Sequence, residues 1–179
     1  MPKYVAFLRA INVGGHTVKM DQLRDLFVEL GYANVETFIA SGNVIFDVKS
    51  ANTKALESRI EKQLKKSLGY EVTTFLRSLP ELTHTDQYQP FSSEELETEG
   101  NTLFVCFLRE APLKESAKKL MSRASAIDGF HINGRELYWL YRRGNGESKF
   151  YGPPLEKIMG MQTTVRNVNT VKRLVKKYC

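Results

Sequence analysis

The sequence predicts an α+β fold with two units of the order β-α-β-β-α-β in tandem, the second less complete than the first. Strand-like apolar segments alternate with helical stripes in that order along the first half. The second half repeats the order up to its last strand, and an acidic segment poor in apolar residues separates the halves. This order is typical of the ferredoxin-like plait. The predicted division is a first domain over 1–77, a helical and acidic linker over 78–100, and a second domain with a C-terminal helix over 101–179.

The first unit begins with residues 3–9, whose apolar side chains on both faces predict an interior strand. Residues 35–39 and 44–48 are strands joined across Ala40-Ser-Gly-Asn43, which is a hairpin signal. Residues 72–76 complete the strands. Two helices are predicted by apolar residues at helical spacing, each followed by a terminating glycine: Met20, Leu23, Leu26, Phe27 and Leu30 before Gly31, and Leu56, Ile60, Leu64 and Leu68 before Gly69.

The linker opens with a capping-box pattern at Ser78-Leu-Pro-Glu81, which predicts a short helix. In the second unit, strands over 102–108, 129–132 and 136–141 are predicted, the last two joined by the hairpin dipeptide Asn133-Gly134. A helix with a buried stripe of Ala117, Leu120, Met121 and Ala124 is predicted after the first of them. A short helix over 154–159 and a final helix from near Asn167 are also predicted, with 163–165 as the candidate for the missing strand.

The net charge of +6 is unevenly distributed. Residues 1–100 hold 11 basic and 14 acidic residues, a net charge of −3, whereas residues 101–179 hold 15 and 6, a net charge of +9. The basic half favours an anionic partner, or its cations solvate helix faces. No apolar run approaches the length of a membrane span and no signal peptide is present, so no membrane partner is predicted. Two distant cysteines, Cys106 within a strand and Cys179 at the end, favour the reducing cytoplasm.

The loop after the first strand, Arg9-Ala-Ile-Asn-Val-Gly-Gly15, is a candidate anion site. Arg9 and Asn12 would supply donors, and Gly14 and Gly15 would let backbone N–H groups point at a ligand. The alternative is a tight turn in which the glycines only permit positive φ. Ser41-Gly42-Asn43 is predicted as a hairpin turn, at the sheet end opposite this loop.

The second candidate site is the segment from Arg166 to Thr170. Asn167 or Thr164 would cap the final helix, while Arg166 and Asn169 would present donors at its positive end. Thr170 is a further candidate ligand-binding residue. The pair Ser148 and Lys149 could approach the same place. The alternative is a structural network in which Arg166 pairs with an acid and the asparagines satisfy loop backbone.

Three sequence signatures resemble the bacterial family called domain of unknown function 1697 (DUF1697). They are Phe7-Leu-Arg-Ala-Ile-Asn-Val-Gly-Gly15, Ile39-Ala-Ser-Gly-Asn-Val-Ile-Phe46 and Thr163-Thr-Val-Arg-Asn-Val-Asn-Thr-Val171, with Ser148-Lys149 and Gly160 also similar. Val168 stands where that family typically has an aromatic residue. The resemblance implies two ferredoxin-like plaits in tandem and supplies no established activity.

These observations lead to one main hypothesis and two alternatives. The main hypothesis is a cytoplasmic protein that binds a phosphate- or carboxylate-bearing small molecule in a cleft between the two domains. The alternatives are a nucleic-acid-binding protein that uses the basic second domain, and an enzyme for small molecules whose chemistry is assembled across the cleft. No catalytic constellation, metal site or cofactor is predicted, because His16, His84 and His131 are isolated in the sequence.

Overall fold

The computed structural model describes all 179 residues. The chain divides into two compact units, one formed by Met1–Leu82 with Tyr178–Cys179 and the other by Thr83–Lys177. Residues 78–100, predicted as a helical and acidic linker, carry helices α3 (Leu79–Gln87) and α4 (Ser93–Glu97), and the division falls within α3. No helix combines the length and the hydropathy needed to span a bilayer.

The first unit is one antiparallel sheet with two helices on it, and its strands run in the order β2-β3-β1-β4. The predicted stripes are confirmed, since Leu23 and Phe27 of the first helix and Ile60 and Leu64 of the second are fully buried. The central strand is buried from its second residue onward, as an interior strand should be. The elements are β1 (Lys3–Leu8), α1 (Met20–Glu29), β2 (Ala33–Thr37), β3 (Asn43–Asp47), α2 (Thr53–Leu68) and β4 (Thr74–Ser78).

The outer strand β4 is covered by carboxylates of α2. Glu61 Oε1 accepts a hydrogen bond from the Thr74 N–H at 2.9 Å, and Glu57 Oε1 accepts one from the Leu76 N–H at 3.0 Å. An edge strand otherwise offers such groups to another chain. Glu57 is itself buried, so its hydrogen bond with the Leu76 N–H is shielded from water.

The second unit repeats the arrangement with four strands in the order β6-β7-β5-β8. Its last strand is present at Thr164–Asn167, so the second sheet is complete. The candidate for this strand, residues 163–165, overlaps it. A short 3-10 turn over Arg143–Asn145 follows β7. The elements are β5 (Asn101–Phe107), α5 (Lys114–Met121), β6 (Asp128–Asn133), β7 (Glu136–Arg142), α6 (Pro153–Met159), β8 (Thr164–Asn167) and α7 (Val168–Tyr178).

The core of the second unit centres on Trp139, which is fully buried. Its indole N–H donates to Asp128 Oδ1 at 2.8 Å, so the one polar atom of the ring is satisfied inside the core. Cys106 lies in the same core, as predicted for a small buried hydrophobe. Burial raises the pKa of its thiol, which keeps the group protonated and unreactive.

Candidate functional site: a polar cavity in the second unit

A polar cavity of about 190 Å³ opens in the second unit between residues at the end of α3 and residues at the start of α7. A cavity of this volume can hold several water molecules or a small ligand. We call it the α3–α7 cavity. The polar side chains that line it are Asp86, Tyr88, Gln89, Asn101, Thr102, Asn167, Asn169 and Lys172.

The start of α7 forms one wall because strand and helix follow each other without a loop. Asn167 is the last residue of β8 and pairs with Phe104 of β5, and α7 begins at the next residue. The Asn167 side chain accepts a hydrogen bond from the Asn169 N–H at 2.9 Å, which is the capping role predicted for it. The positive end of the helix dipole therefore lies at the cavity, and Lys172 lies one turn further along.

Asp86, in the last turn of α3, brings a carboxylate to the same cavity. Its Oδ1 is enclosed and has no hydrogen-bond partner, although Lys172 lines the cavity too. Leaving a buried polar atom unpaired costs about 1–3 kcal/mol. The charge of Asp86 also acts on Tyr138, whose pKa is raised by burial first and further by Glu136, Tyr88 and Asp86.

Hydrogen bonds hold the other walls in place. The Tyr88 hydroxyl and His131 Nε2 are 2.5 Å apart, and Asn101 Nδ2 donates to the Glu95 carbonyl oxygen at 2.8 Å. Glu95 is in turn paired with Arg142 at 2.7 Å, and the hydrogen bond from Arg142 lowers the pKa of that carboxyl. The cavity is therefore shaped before any ligand arrives.

Arg166, predicted to offer its guanidinium to a ligand, is 6% exposed and does not line the α3–α7 cavity. Its Nη1 donates to the Thr164 hydroxyl at 2.7 Å and to the Val165 carbonyl at 3.0 Å. Burial lowers its pKa to about 10. These hydrogen bonds stabilise the strand on which Arg166 lies, and its binding of a ligand stays a prediction.

Three other predicted binding residues of the second unit, Ser148, Lys149 and Thr170, also lie outside the lining. Ser148 Oγ accepts a hydrogen bond from the Phe150 N–H at 3.2 Å and so stabilises its own loop. Lys149 is exposed on that loop, and Thr170 is half-buried on α7. Of the predicted residues in this unit, the cavity brings together Asn167 and Asn169.

In the first unit, the loop after β1 and the turn before β3 meet at one end of the sheet. Asn12 Nδ2 donates to the Ala40 carbonyl oxygen at 2.8 Å, and the Leu8 N–H donates to the Gly42 carbonyl oxygen, also at 2.8 Å. The prediction that the Ser41 turn lies at the opposite sheet end is therefore wrong. The reason is the antiparallel pairing of β1 with β3, which places the start of β3 beside the end of β1.

Gly14 and Gly15 form a tight turn, with φ of 61° and 87°. The His16 N–H closes it by donating to the Val13 carbonyl oxygen at 3.2 Å. These values are those of a two-residue turn with positive φ at both positions, which favours the turn alternative. At the start of the same loop, the Arg9 N–H donates to the Thr73 carbonyl oxygen at 3.0 Å.

The polar cavity residues that sequence reasoning missed are Asp86, Tyr88, Gln89, Asn101, Thr102 and Lys172. They lie on three segments separated by up to 86 positions, and none belongs to a motif. No group of three His, Cys, Asp or Glu side chains stands close enough to hold a metal ion. The chemistry that the cavity offers is hydrogen bonding and charge recognition.

Comparisons with known proteins agree with this architecture. The conserved bacterial protein SP0830 from Streptococcus pneumoniae has a similar structure, with a TM-score of 0.79, 20% sequence identity, and coverage of 99% of this chain and 98% of that one. None of the curated proteins is detectably similar. The family model described as "Protein of unknown function (DUF1697)" matches residues 1–138 and so ends before β8 and α7. Because the match covers most of the sequence and agrees with the resemblance carried by the signatures near Gly15 and Ser41, the chain belongs to the DUF1697 family.

Proposed function

We propose that the second unit binds a small anionic ligand, bearing a phosphate or a carboxylate, in the α3–α7 cavity. The observation that carries the proposal is the convergence of the start of α7, Asn169 and Lys172 on one cavity. A helix start attracts anions through its unpaired N–H groups and its dipole, and the ammonium adds a full charge. The net charge of +9 over residues 101–179 would draw anions toward it.

The proposal keeps Asn167 and Asn169 from the residues predicted by sequence and adds Asn101 and Lys172. Asn101 is positioned by its bond to the Glu95 carbonyl, and its side-chain oxygen is an acceptor that a ligand donor could use. The binding group is therefore a helix start with amides and one ammonium.

The same proposal takes both units as ferredoxin-like plaits. Each has a β-α-β-β-α-β order and an antiparallel sheet in which the first strand is central and the second is at the edge. In such an arrangement the C-terminal helix α7 is additional to the six elements of the second plait.

Isothermal titration with inorganic phosphate, succinate, AMP and glutamate tests the proposal. We expect at least one of these probes to bind wild type, and Lys172→Gln to weaken that binding by about tenfold, the effect of losing a charged hydrogen bond. Lys176→Gln, on the same helix and exposed but outside the cavity, is the matched control and should bind as wild type does. No binding by wild type, or equal losses in the two variants, would overturn the proposal.

The alternative ligand to be tested is a nucleic acid, which would bind to a basic surface instead of the cavity. Oligonucleotide binding that weakens steeply with salt and is equally reduced by Lys172→Gln and Lys176→Gln would point to a basic surface, since phosphate contacts release counterions. Binding that depends on Lys172 alone supports the cavity.

A further inference from the structure

The carboxylate of Asp86 lines the α3–α7 cavity, where it is unfavourable for a ligand that carries only negative charge. A carboxylate repels a phosphate or a carboxylate ligand, and its enclosed Oδ1 has no hydrogen-bond partner. An oxygen enclosed to that degree is out of reach of a ligand, but Asp86 itself lines the cavity, so its negative charge acts on any molecule bound there. The donor that a carboxylate binds most strongly is a cationic N–H group.

The two charge signs in the cavity complement a molecule that carries both. We propose that the ligand is a small zwitterion of the amino-acid type, an inference that rests on the anion-binding function proposed above. Its ammonium group binds Asp86, and its carboxylate binds at the start of α7 with Asn169 and Lys172.

The size and the walls of the cavity agree with this class of ligand. Its volume of about 190 Å³ is below the ~300–1,000 Å³ of sites for drug-sized molecules, which suits an amino acid better than a nucleotide. The amides of Asn101 and Asn167 can donate or accept, so they serve either pole of the ligand. Leu96 and Leu103 add apolar surface for a short carbon chain.

Matched pairs of ligands test the inference by isothermal titration. Glutamate and alanine are compared with glutarate and propionate, which keep the carboxylate chemistry and lack the ammonium. We expect wild type to bind the amino acid of a pair at least about tenfold more tightly. Asp86→Asn has nearly the same shape and no charge, so in this variant the ratio of the two dissociation constants should fall toward one. Glu97→Gln, an exposed acid-to-amide change outside the cavity, should keep it.

The outcomes separate this inference from the proposed function. If amine-free acids bind as tightly as amino acids and their binding needs Lys172, the zwitterion inference is wrong and anion binding stands. A preference that survives in Asp86→Asn also overturns the inference. If neither class binds wild type, the zwitterion inference is wrong, and the titrations with inorganic phosphate and AMP then decide whether anion binding stands. Circular dichroism and thermal unfolding verify that each variant is folded, and Asp86→Ala, which has no acceptor at all, replaces Asp86→Asn if the latter does not fold.

Discussion

Asn12 donates a hydrogen bond from Nδ2 to the carbonyl oxygen of Ala40 at 2.8 Å, across 28 positions of sequence. Its other side-chain atom, Oδ1, accepts from the Val18 N–H at 2.8 Å. One side chain thus fastens the loop after β1 both to the turn before β3 and to the segment that leads into α1. The two signatures near the beginning of the chain are therefore parts of one structural cluster.

Substitution of Asn12 should lower stability in steps. Asn12→Asp keeps the acceptor for Val18 and loses the donor to Ala40, so we expect a loss of about 1 kcal/mol in the free energy of unfolding. Asn12→Ala loses both bonds and should cost about twice as much. Urea unfolding measures both losses, and equal stability of the two variants would show that the bond from the Val18 N–H contributes nothing.

Gly42 and Gly14 form a matched pair for testing close packing at this end of the sheet. Both have positive φ, but a Cβ on Gly42 would lie 2.9 Å from Ile11 Cβ, whereas a Cβ on Gly14 would meet nothing within 4 Å. Gly14→Ala should therefore cost only the backbone strain, about 1–2 kcal/mol. Gly42→Ala adds overpacking and should cost about 2–5 kcal/mol. Thermal unfolding measures the stability of both variants. A larger loss in Gly14→Ala than in Gly42→Ala would contradict the close packing of Gly42 against Ile11.

The carboxylate of Glu57 should stabilise the edge of the first sheet. Glu57→Ala leaves the Leu76 N–H without its acceptor, and we expect a loss of about 1–3 kcal/mol. Glu57→Gln retains a side-chain oxygen in the same place and should lose less. Light scattering adds a second readout, because an uncovered edge strand promotes pairing between chains. Similar stability of the Ala and Gln variants would argue against the hydrogen bond.

Asp47 should contribute to stability against acid. The hydrogen bond from Asn34 Nδ2, at 2.7 Å, is the main cause that lowers the pKa of this carboxyl, and the ammonium of Lys3 at 3.1 Å adds to it. Because the folded-state pKa lies below the unfolded value of about 3.9, the contribution is complete above that value and is lost as the pH falls through the folded-state pKa.

The measurement is urea unfolding of wild type and Asp47→Asn between pH 6 and pH 2, values chosen to bracket about 3.9. We expect the variant to be the less stable at pH 6 and the difference to shrink as the pH falls. Glu99→Gln, an exposed acid, should track wild type throughout. A difference between wild type and Asp47→Asn that stays constant with pH would contradict the role of the ionised carboxylate.

Local patterns predicted most of the elements because each carries its own signal. The stripe from Leu56 to Leu68 with Gly69 after it produced the helix as predicted, and Gly69 has the left-handed φ of 83° that such a terminator needs. Asn133-Gly134 likewise joined its hairpin, β6 to β7. Strand β8 carried the weakest sequence signal because it has only four residues. It is stabilised by pairing with β5, and such pairing cannot be predicted from a local sequence pattern.

The candidate site was much less accessible to sequence reasoning. Asn167 and Asn169 lie in a motif and could be found, whereas Asp86 and Lys172 became neighbours of the same cavity only through tertiary packing. The burial of Arg166 was not predicted, for a related reason. Alternation along a strand decides which side chains point inward, and without the register of β8 its guanidinium could not be placed.

The absence of any connecting residue between β8 and α7 makes the cavity wall sensitive to chain length. One extra residue inserted after Asn167 would turn every later side chain of the helix by about 100° relative to the sheet. Lys172 would then swing away from Asn101 while the sheet itself kept its pairing. An insertion or deletion at this junction would therefore rebuild the cavity wall, whereas exchange of one side chain for another leaves the course of the helix unchanged.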